Sequence, residues 1–281
     1  MSTKKIRAIS YNVFRVFILI LFLLFAILPL FWIFITSIKT GEELYSIPLV
    51  YWPKNPTFDA YTRLFTYSNF KQYFINSMSV TLSSSLVAMV LSVMGGFALS
   101  RFRQKKLKGW TELLLYFTQT VPSFMIMLPL FMFFSKLKLV DNLPVLASIY
   151  VATVIAFSTL MSRSFFDRIP VSLEEAAKID GCNMLQSIVY VVLPLTLPGI
   201  AAIFCFAFVN IWNELFLAVM LINKSSKYTV PVALNSFISK AGVSWDLMSA
   251  GIVVSLLPTM VIFGIGQKYI VAGLTEGGVK G

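Results

Sequence analysis

Residues 169–181 read Ile169-Pro170-Val171-Ser172-Leu173-Glu174-Glu175-Ala176-Ala177-Lys178-Ile179-Asp180-Gly181. Ser172 and Glu175 stand at capping-box spacing, in which a hydroxyl and a carboxylate each satisfy a free amide at a helix start. That spacing predicts a helix from near Leu173, closed by Gly181 in a left-handed conformation. A helix of about eight residues is marginal in water unless it packs against something, so the stretch asks for a docking surface. From Asn183 a second helix can start, with Ser187, Ile188 and Val191 at helical spacing, and end around Leu193-Pro194. Pro194 and Pro198 then stand at the mouth of the next apolar run, where a missing N–H costs least or a kink is useful. Capping alone leaves two readings of this elbow open: a helix lying on the lipid surface, or one docked on protein.

Outward from the elbow lie runs without Asp, Glu, Lys or Arg, at 142–162 before it and 181–213 from its end; four more occupy 16–38, 72–100, 113–135 and 247–267. A bilayer core of about 30 Å needs about 20 apolar residues in a helix. Composition agrees, since 58% of the 281 residues are hydrophobic and only 12% charged, whereas soluble domains carry about a quarter charged residues. A membrane barrel is excluded, because stretches such as Val16 to Pro29 do not alternate. The expected fold is an all-α integral membrane protein with six transmembrane helices, near 16–38, 73–100, 112–135, 143–162, 195–222 and 248–267. A cytoplasmic loop fills 163–194, and the whole chain, 1–281, is expected to be one domain. The loop at 39–71, with Pro48, Pro53 and Pro56, reads as irregular and packed on the outer surface.

Six spans put both ends on one side of the membrane. That side carries 14 Lys and Arg against 9 on the other, and the excess places the termini in the cytoplasm. The net charge of +11 needs no nucleic-acid partner, because a basic face above anionic lipid accounts for it. Lys4, Lys5 and Arg7 precede an apolar run too long for a signal core, with no small-residue cleavage site before Lys39, so the first segment reads as a retained anchor. Cys182 and Cys205 form no disulfide framework or metal set. The chain has no His and no G-x-x-x-x-G-K-[ST] sequence, so it lacks a phosphate loop of its own and cannot be an ATPase by itself.

Acidic residues near the spans are confined to Glu112 and Glu214. Trp110 and Glu112 read as anchors at the start of span three. Trp212-Asn213-Glu214 is a candidate polar site within span five, either lining a solute path or bonding a neighbouring helix. Gly95, Gly96, Gly264 and Gly266 permit close helix approach. Met125, Met127, Met132 and Met161 are adaptable core filler rather than a metal set.

Glu175-Ala176-Ala177, three residues, Gly181 and then Leu193-Pro194 resembles the EAA loop of ABC importer permeases. Val191 stands where Ile is usual and Cys182 where Ala is common. Further stretches are similar to the MalG-like permeases of the maltose and multiple-sugar branch: Asn76-Ser77, Gly95 to Phe102, Trp212-Asn213-Glu214, Tyr228 to Leu234, and the tail Gly273 to Gly281. Glu276 stands in that tail where small residues are common. The resemblance implies a type I ABC importer permease in a bacterial inner membrane, its short helix a coupling helix that fits a cleft on a separate ATPase. Glu175, Ala176, Ala177, Asp180, Gly181, Leu193 and Pro194 would then carry coupling. The tail, through Gly277, Gly278 and Lys280, would reach the ATPase dimer. Implied partners are a homologous second permease, two ATPase subunits that bind ATP and Mg, and an extracytoplasmic sugar-binding protein; this chain would bind no cofactor. The implied cargo is a di- or oligosaccharide, with glycerol phosphate or another polar solute as the alternative. An ion-driven secondary transporter would instead show several intramembrane ionisable residues and inverted repeats, and a scaffold subunit would show no ATP-dependent flux.

Overall fold

Because lipid offers no hydrogen-bond partner, each apolar run must satisfy its amides and carbonyls internally, and each forms helix. The computed structural model describes residues 3–102, 104–239 and 242–275. Its helices are α1 (Thr3–Ser37), α2 (Gly41–Leu44), α3 (Asp59–Tyr67), α4 (Phe70–Arg101), α5 (Lys105–Thr120), α6 (Ser123–Lys136), α7 (Leu143–Phe166), α8 (Val171–Ile179), α9 (Met184–Ser187), α10 (Leu193–Trp212), α11 (Phe216–Leu221), α12 (Val230–Ser236) and α13 (Trp245–Thr275). A two-residue antiparallel ladder pairs β1 (Ile238–Ser239) with β2 (Gly242–Val243).

Among the described residues five stretches are helical, long and apolar enough to cross a membrane: Tyr11–Ser37, Phe70–Arg101, Leu143–Phe166, Met184–Trp212 and Trp245–Tyr269. The sixth apolar run, read from sequence as one helix over 112–135, is instead two helices, α5 and α6, meeting at 93°. The break falls at Val121 and Pro122, both extended. Proline disfavours the helical conformation of the residue before it and has no N–H to continue the ladder.

The chain divides into two compact units. The first comprises residues 1–70 and 234–256. Here Ser37 hydrogen-bonds the Tyr61 hydroxyl at 2.7 Å, Ala60 and Leu64 are buried, and Arg63 pairs with Asp246 at 2.6 Å. The 39–71 segment is thus more ordered than its prolines suggest, since it holds α2 and α3. Glu43 accepts the Lys54 and Asn55 amides at 2.9 and 3.1 Å. Burial pushes its carboxyl up, but those amides, that of Thr40 and the Lys39 charge outweigh burial and hold it below its ordinary value.

The second unit comprises residues 71–233 and 257–281. Its core is built from α4, α7 and α10 with α11, around Ala88, Leu146, Tyr150, Val154, Ala207, Ile211 and Ala218. Small polar residues line the seam of α4 with α7. Ser84 donates to Ala147 O at 3.0 Å and Ser92 to Ile155 O at 3.4 Å. At Gly96 a β-carbon would collide with the Ser162 side chain and the Arg163 backbone, so this crossing needs glycine. Gly264, expected to serve the same purpose, faces nothing within 4 Å.

Asn76 and Ser77 sit on α4 with fixed partners. Asn76 donates to the carbonyls of Ser226 and Tyr228, both at 3.0 Å, and Ser77 accepts the Val230 amide at 2.7 Å. Two stretches read separately in the sequence, at 76–77 and 228–234, are therefore one contact.

Candidate functional site

The elbow begins two residues earlier than capping chemistry suggests. Helix α8 starts at Val171 with Pro170 in the cap position and no side-chain cap bond. The Leu173 amide already bonds Pro170 O at 3.2 Å, which puts Ser172 inside the first turn. The expected Ser172/Glu175 capping box is not formed. A capping box stands instead at the next helix start: Asn183 Oδ1 accepts the Gln186 amide and Gln186 Oε1 accepts the Asn183 amide, both at 2.9 Å.

Gly181 closes α8 as expected, with φ of +88°. The Gly181 amide bonds Lys178 O at 3.1 Å and the Cys182 amide bonds Ala177 O at 2.9 Å. These two bonds define a Schellman motif, which satisfies two carbonyls the helix end would otherwise leave free.

The second helix does not stop at Leu193-Pro194. It runs from α9 through a π-helical turn at Ile188–Val192 into α10, and the Leu193 amide reaches back five residues to Ile188 O. The wider turn lets the chain pass into Pro194 without a break in the span, as π-bulges in long helices do. Leu193 is half-buried and Pro194 exposed.

The elbow has two unlike sides. Ala177, Phe166, Ile169 and Val192 are buried, and Phe97 and Phe166 meet edge to face at 5.4 Å. The other side is open: Glu175, Ala176 and Asp180 are exposed, as are the apolar Leu173, Ile179, Met184 and Leu185. Leu173, Ala176 and Ile179 recur every three residues, hence on one helix face.

A cluster of charges ties the elbow to the spans. Arg101, the last residue of α4, pairs through Nε with Glu174 at 2.6 Å. Its Nη1 donates to Ser100 Oγ at 2.9 Å and Phe166 O at 3.2 Å, and its Nη2 to Ile169 O at 3.2 Å. Arg163 pairs with Glu112 at 2.7 Å and with Asp167 at 3.1 Å. In the sequence Arg101 is one of the basic residues on the end-bearing side and part of the Gly95 to Phe102 stretch, and Glu112 reads as an interfacial anchor. Both join helices instead.

Trp212, Asn213 and Glu214 lie apart from the elbow, and Glu214 sits beside Tyr150 in the first half of α7. Glu214 accepts the Tyr150 hydroxyl at 2.9 Å and the Leu217 and Ala218 amides at 2.9 and 3.3 Å. Its carboxylate thus caps the start of α11 and fastens it to α7, and helix α10 ends at Trp212 instead of running to residue 222. Trp212 is buried and stacks on Phe208 with ring centroids 5.9 Å apart. Asn213 is exposed and donates back to Val209 O at 2.8 Å. Of the three, Glu214 bonds a neighbouring helix and Asn213 is open to the surroundings. Gly277, Gly278 and Lys280 lie outside the described residues.

Residues 88–276, which contain the whole elbow and its charge cluster, match the family described as binding-protein-dependent transport system inner membrane component. The chain belongs to that family. This permease is 34% identical to the sulfoquinovosyl glycerol transport system permease SmoH of Agrobacterium fabrum, over 90% of this chain and 88% of that one. It is 30% identical to the galactooligosaccharides transport system permease GanQ of Bacillus subtilis, with both chains covered end to end. Among solved structures it is similar to a chain of a bacterial ABC transporter involved in import of the acidic polysaccharide alginate. There the TM-score is 0.78 at 26% identity, over 96% of this chain and 99% of that chain. The permease is accordingly an all-α, multi-pass membrane protein of the type I importer fold, and a transport subunit.

Proposed function

We propose that this permease forms half of the transmembrane path of an ATP-driven importer for a di- or oligosaccharide. A homologous second permease completes the path, two copies of a separate ATPase bind ATP and Mg on the cytoplasmic side, and an extracytoplasmic binding protein delivers the sugar. The permease carries no ATPase site of its own. Coupling runs through residues 172–194, with both termini in the cytoplasm of a bacterium.

One observation carries the reading: the elbow is braced on its inner side and presents Leu173, Ala176 and Ile179 of α8 with Met184 and Leu185 of α9 on its outer side. Among the described residues nothing covers that face, and a helix this short needs a partner. The family membership makes an ATPase the partner that fits. Closure of the ATPase dimer on ATP would push α8 and turn the spans from inward-facing to outward-facing, and phosphate release would reverse the change; this requires the ATPase to contact the two states differently. The sugar assignment leans on the relatives, whose names specify sugars or glycosides.

The test is reconstitution of the permease with the second permease, ATPase and binding protein encoded beside it, and measurement of ATP hydrolysis over a panel of di- and oligosaccharides. Stimulation by one loaded binding protein establishes importer function and identifies the cargo. A complex that assembles but responds to no sugar removes the sugar reading, and failure to bind an ATPase removes the importer reading.

A further inference from the structure

Arg101 occupies a position that neither the capping pattern nor the family description assigns. Its guanidinium joins three elements at once: its own helix α4, the end of α7 with the short linker behind it, and the coupling helix α8. The linker between α7 and α8 is residues 167–170, and at its two ends Phe166 O, which also accepts the Ile169 amide at 3.1 Å, and Ile169 O take the two Nη donors at 3.2 Å each. Glu174 on α8 takes Nε at 2.6 Å, with the two side chains 17% and 12% exposed. The ring of Phe97 lies beneath the guanidinium at 5.8 Å. A planar fork with fixed donors suits this set of acceptors, and lysine, with a single ammonium, does not reproduce it.

We infer that Arg101 is the positioning residue that makes the coupling helix and span two move as one body. A four-residue linker without such a brace bends when α8 is pushed, so that a displacement at the ATPase face is absorbed before it reaches the spans. With Arg101 in place the linker carbonyls are held from the α4 side, and α8 is held by its own carboxylate. The push is thereby delivered to α4 as well as to the helices continuous with the elbow. This inference rests on the coupling reading above.

The experiment uses the full complex in proteoliposomes, with ATP hydrolysed and sugar taken up measured on the same preparation. Arg101→Lys, Arg101→Gln and Glu174→Gln are compared with the parent chain. The expected result is that all three retain the ATPase subunits, while ATP spent per sugar imported rises at least about fivefold in Arg101→Gln. The rise is smaller in Glu174→Gln, which leaves the carbonyl bonds in place. Arg101→Lys, the conservative variant, falls between parent and Arg101→Gln, which separates a misplaced helix from an unfolded one. An unchanged ratio in Arg101→Gln overturns the inference. So does a loss of ATPase subunits in proportion to lost uptake, because Arg101 would then serve docking alone. A parent complex with no ATP-dependent uptake would overturn the proposed function itself, whatever the variants do.

Discussion

Gly181 shows what a single position contributes to the elbow. Its φ of +88° lies in the left-handed region, yet a β-carbon there would meet nothing within 4 Å. The demand for glycine is therefore one of backbone conformation and not of space around the β-carbon. A left-handed residue bearing a β-carbon costs about 1–2 kcal/mol, less for Asn and more for β-branched side chains. Gly181→Asn should thus retain ATPase attachment and uptake, Gly181→Ala should lose part of both, and Gly181→Val should lose most, all with normal membrane levels. Equal behaviour of Asn and Val in co-purification and uptake assays would show that the Schellman geometry is not what positions α8. Gly181 was legible from sequence because its signal is local. The Arg101–Glu174 pair was not, because its members stand 73 residues apart and no periodicity links them. Glu214 falls between: an acid inside an apolar run flags a polar bond, but only the folded structure reveals that the Tyr150 hydroxyl and two amides donate to it.

Among elements, the sequence located helices well and their ends less well, for physical reasons that differ at each site. The break at Pro122 was hidden inside a run apolar throughout, and the π turn before Pro194 hid a continuous helix behind a residue that usually ends one. Ser172 and Glu175 have capping-box spacing, yet Pro170, which has no capping side chain, takes the cap position and draws Ser172 into the first turn. The loops joining α6 to α7 and α11 to α12 show a device that sequence could not reveal. Asp141, itself at φ of +60°, accepts the Asn223 and Lys224 amides at 2.6 and 2.8 Å and donates its own amide to Leu221 O at 2.9 Å. The Lys227 ammonium bonds the Asp141 carbonyl. Burial raises the Asp141 carboxyl, but the two amides and the charges of Lys224 and Lys227 outweigh it and hold the group below its ordinary 3.8. A depressed folded value means that the ionised clamp stabilises the protein above the ordinary carboxylate range and ceases to do so as pH falls through the folded value. Asp141→Asn keeps an acceptor oxygen and removes the charge, at a cost of about 1 kcal/mol at neutral pH once solvent screening is allowed for. Melting of the detergent-solubilised permease should therefore lose more on acidification from about pH 6 to about pH 3 in the parent than in Asp141→Asn. Parallel pH curves would assign the clamp's effect to something other than the charge.

For the whole molecule, thiol labelling tests which face meets the cytoplasm. The charge census favours the side that carries the elbow, and the proposed function requires it, since ATP is cytoplasmic. Two residues report the two faces. Ile179, 86% exposed at the end of α8, stands on the elbow, and Tyr67, 81% exposed at the end of α3, stands in the segment between the first two spans. Both can be converted to cysteine singly in a background of Cys182→Ser and Cys205→Ala, the only native thiols. Cys205 is buried, with its thiol 3.9 Å from Ile262 O, so alanine there removes a small side chain and one weak contact. In intact spheroplasts a membrane-impermeant maleimide should label Tyr67→Cys fully and Ile179→Cys only after permeabilisation. The opposite pattern would invert the chain in the membrane, leaving the fold and its spans as described but placing the elbow where no ATPase could reach it. Labelling of both without permeabilisation would mean that one of the three runs between Tyr67 and Ile179 does not cross, and the bent pair α5 and α6 would be the first segment to re-examine, because an even number of crossings puts the elbow and the 39–71 segment on one side.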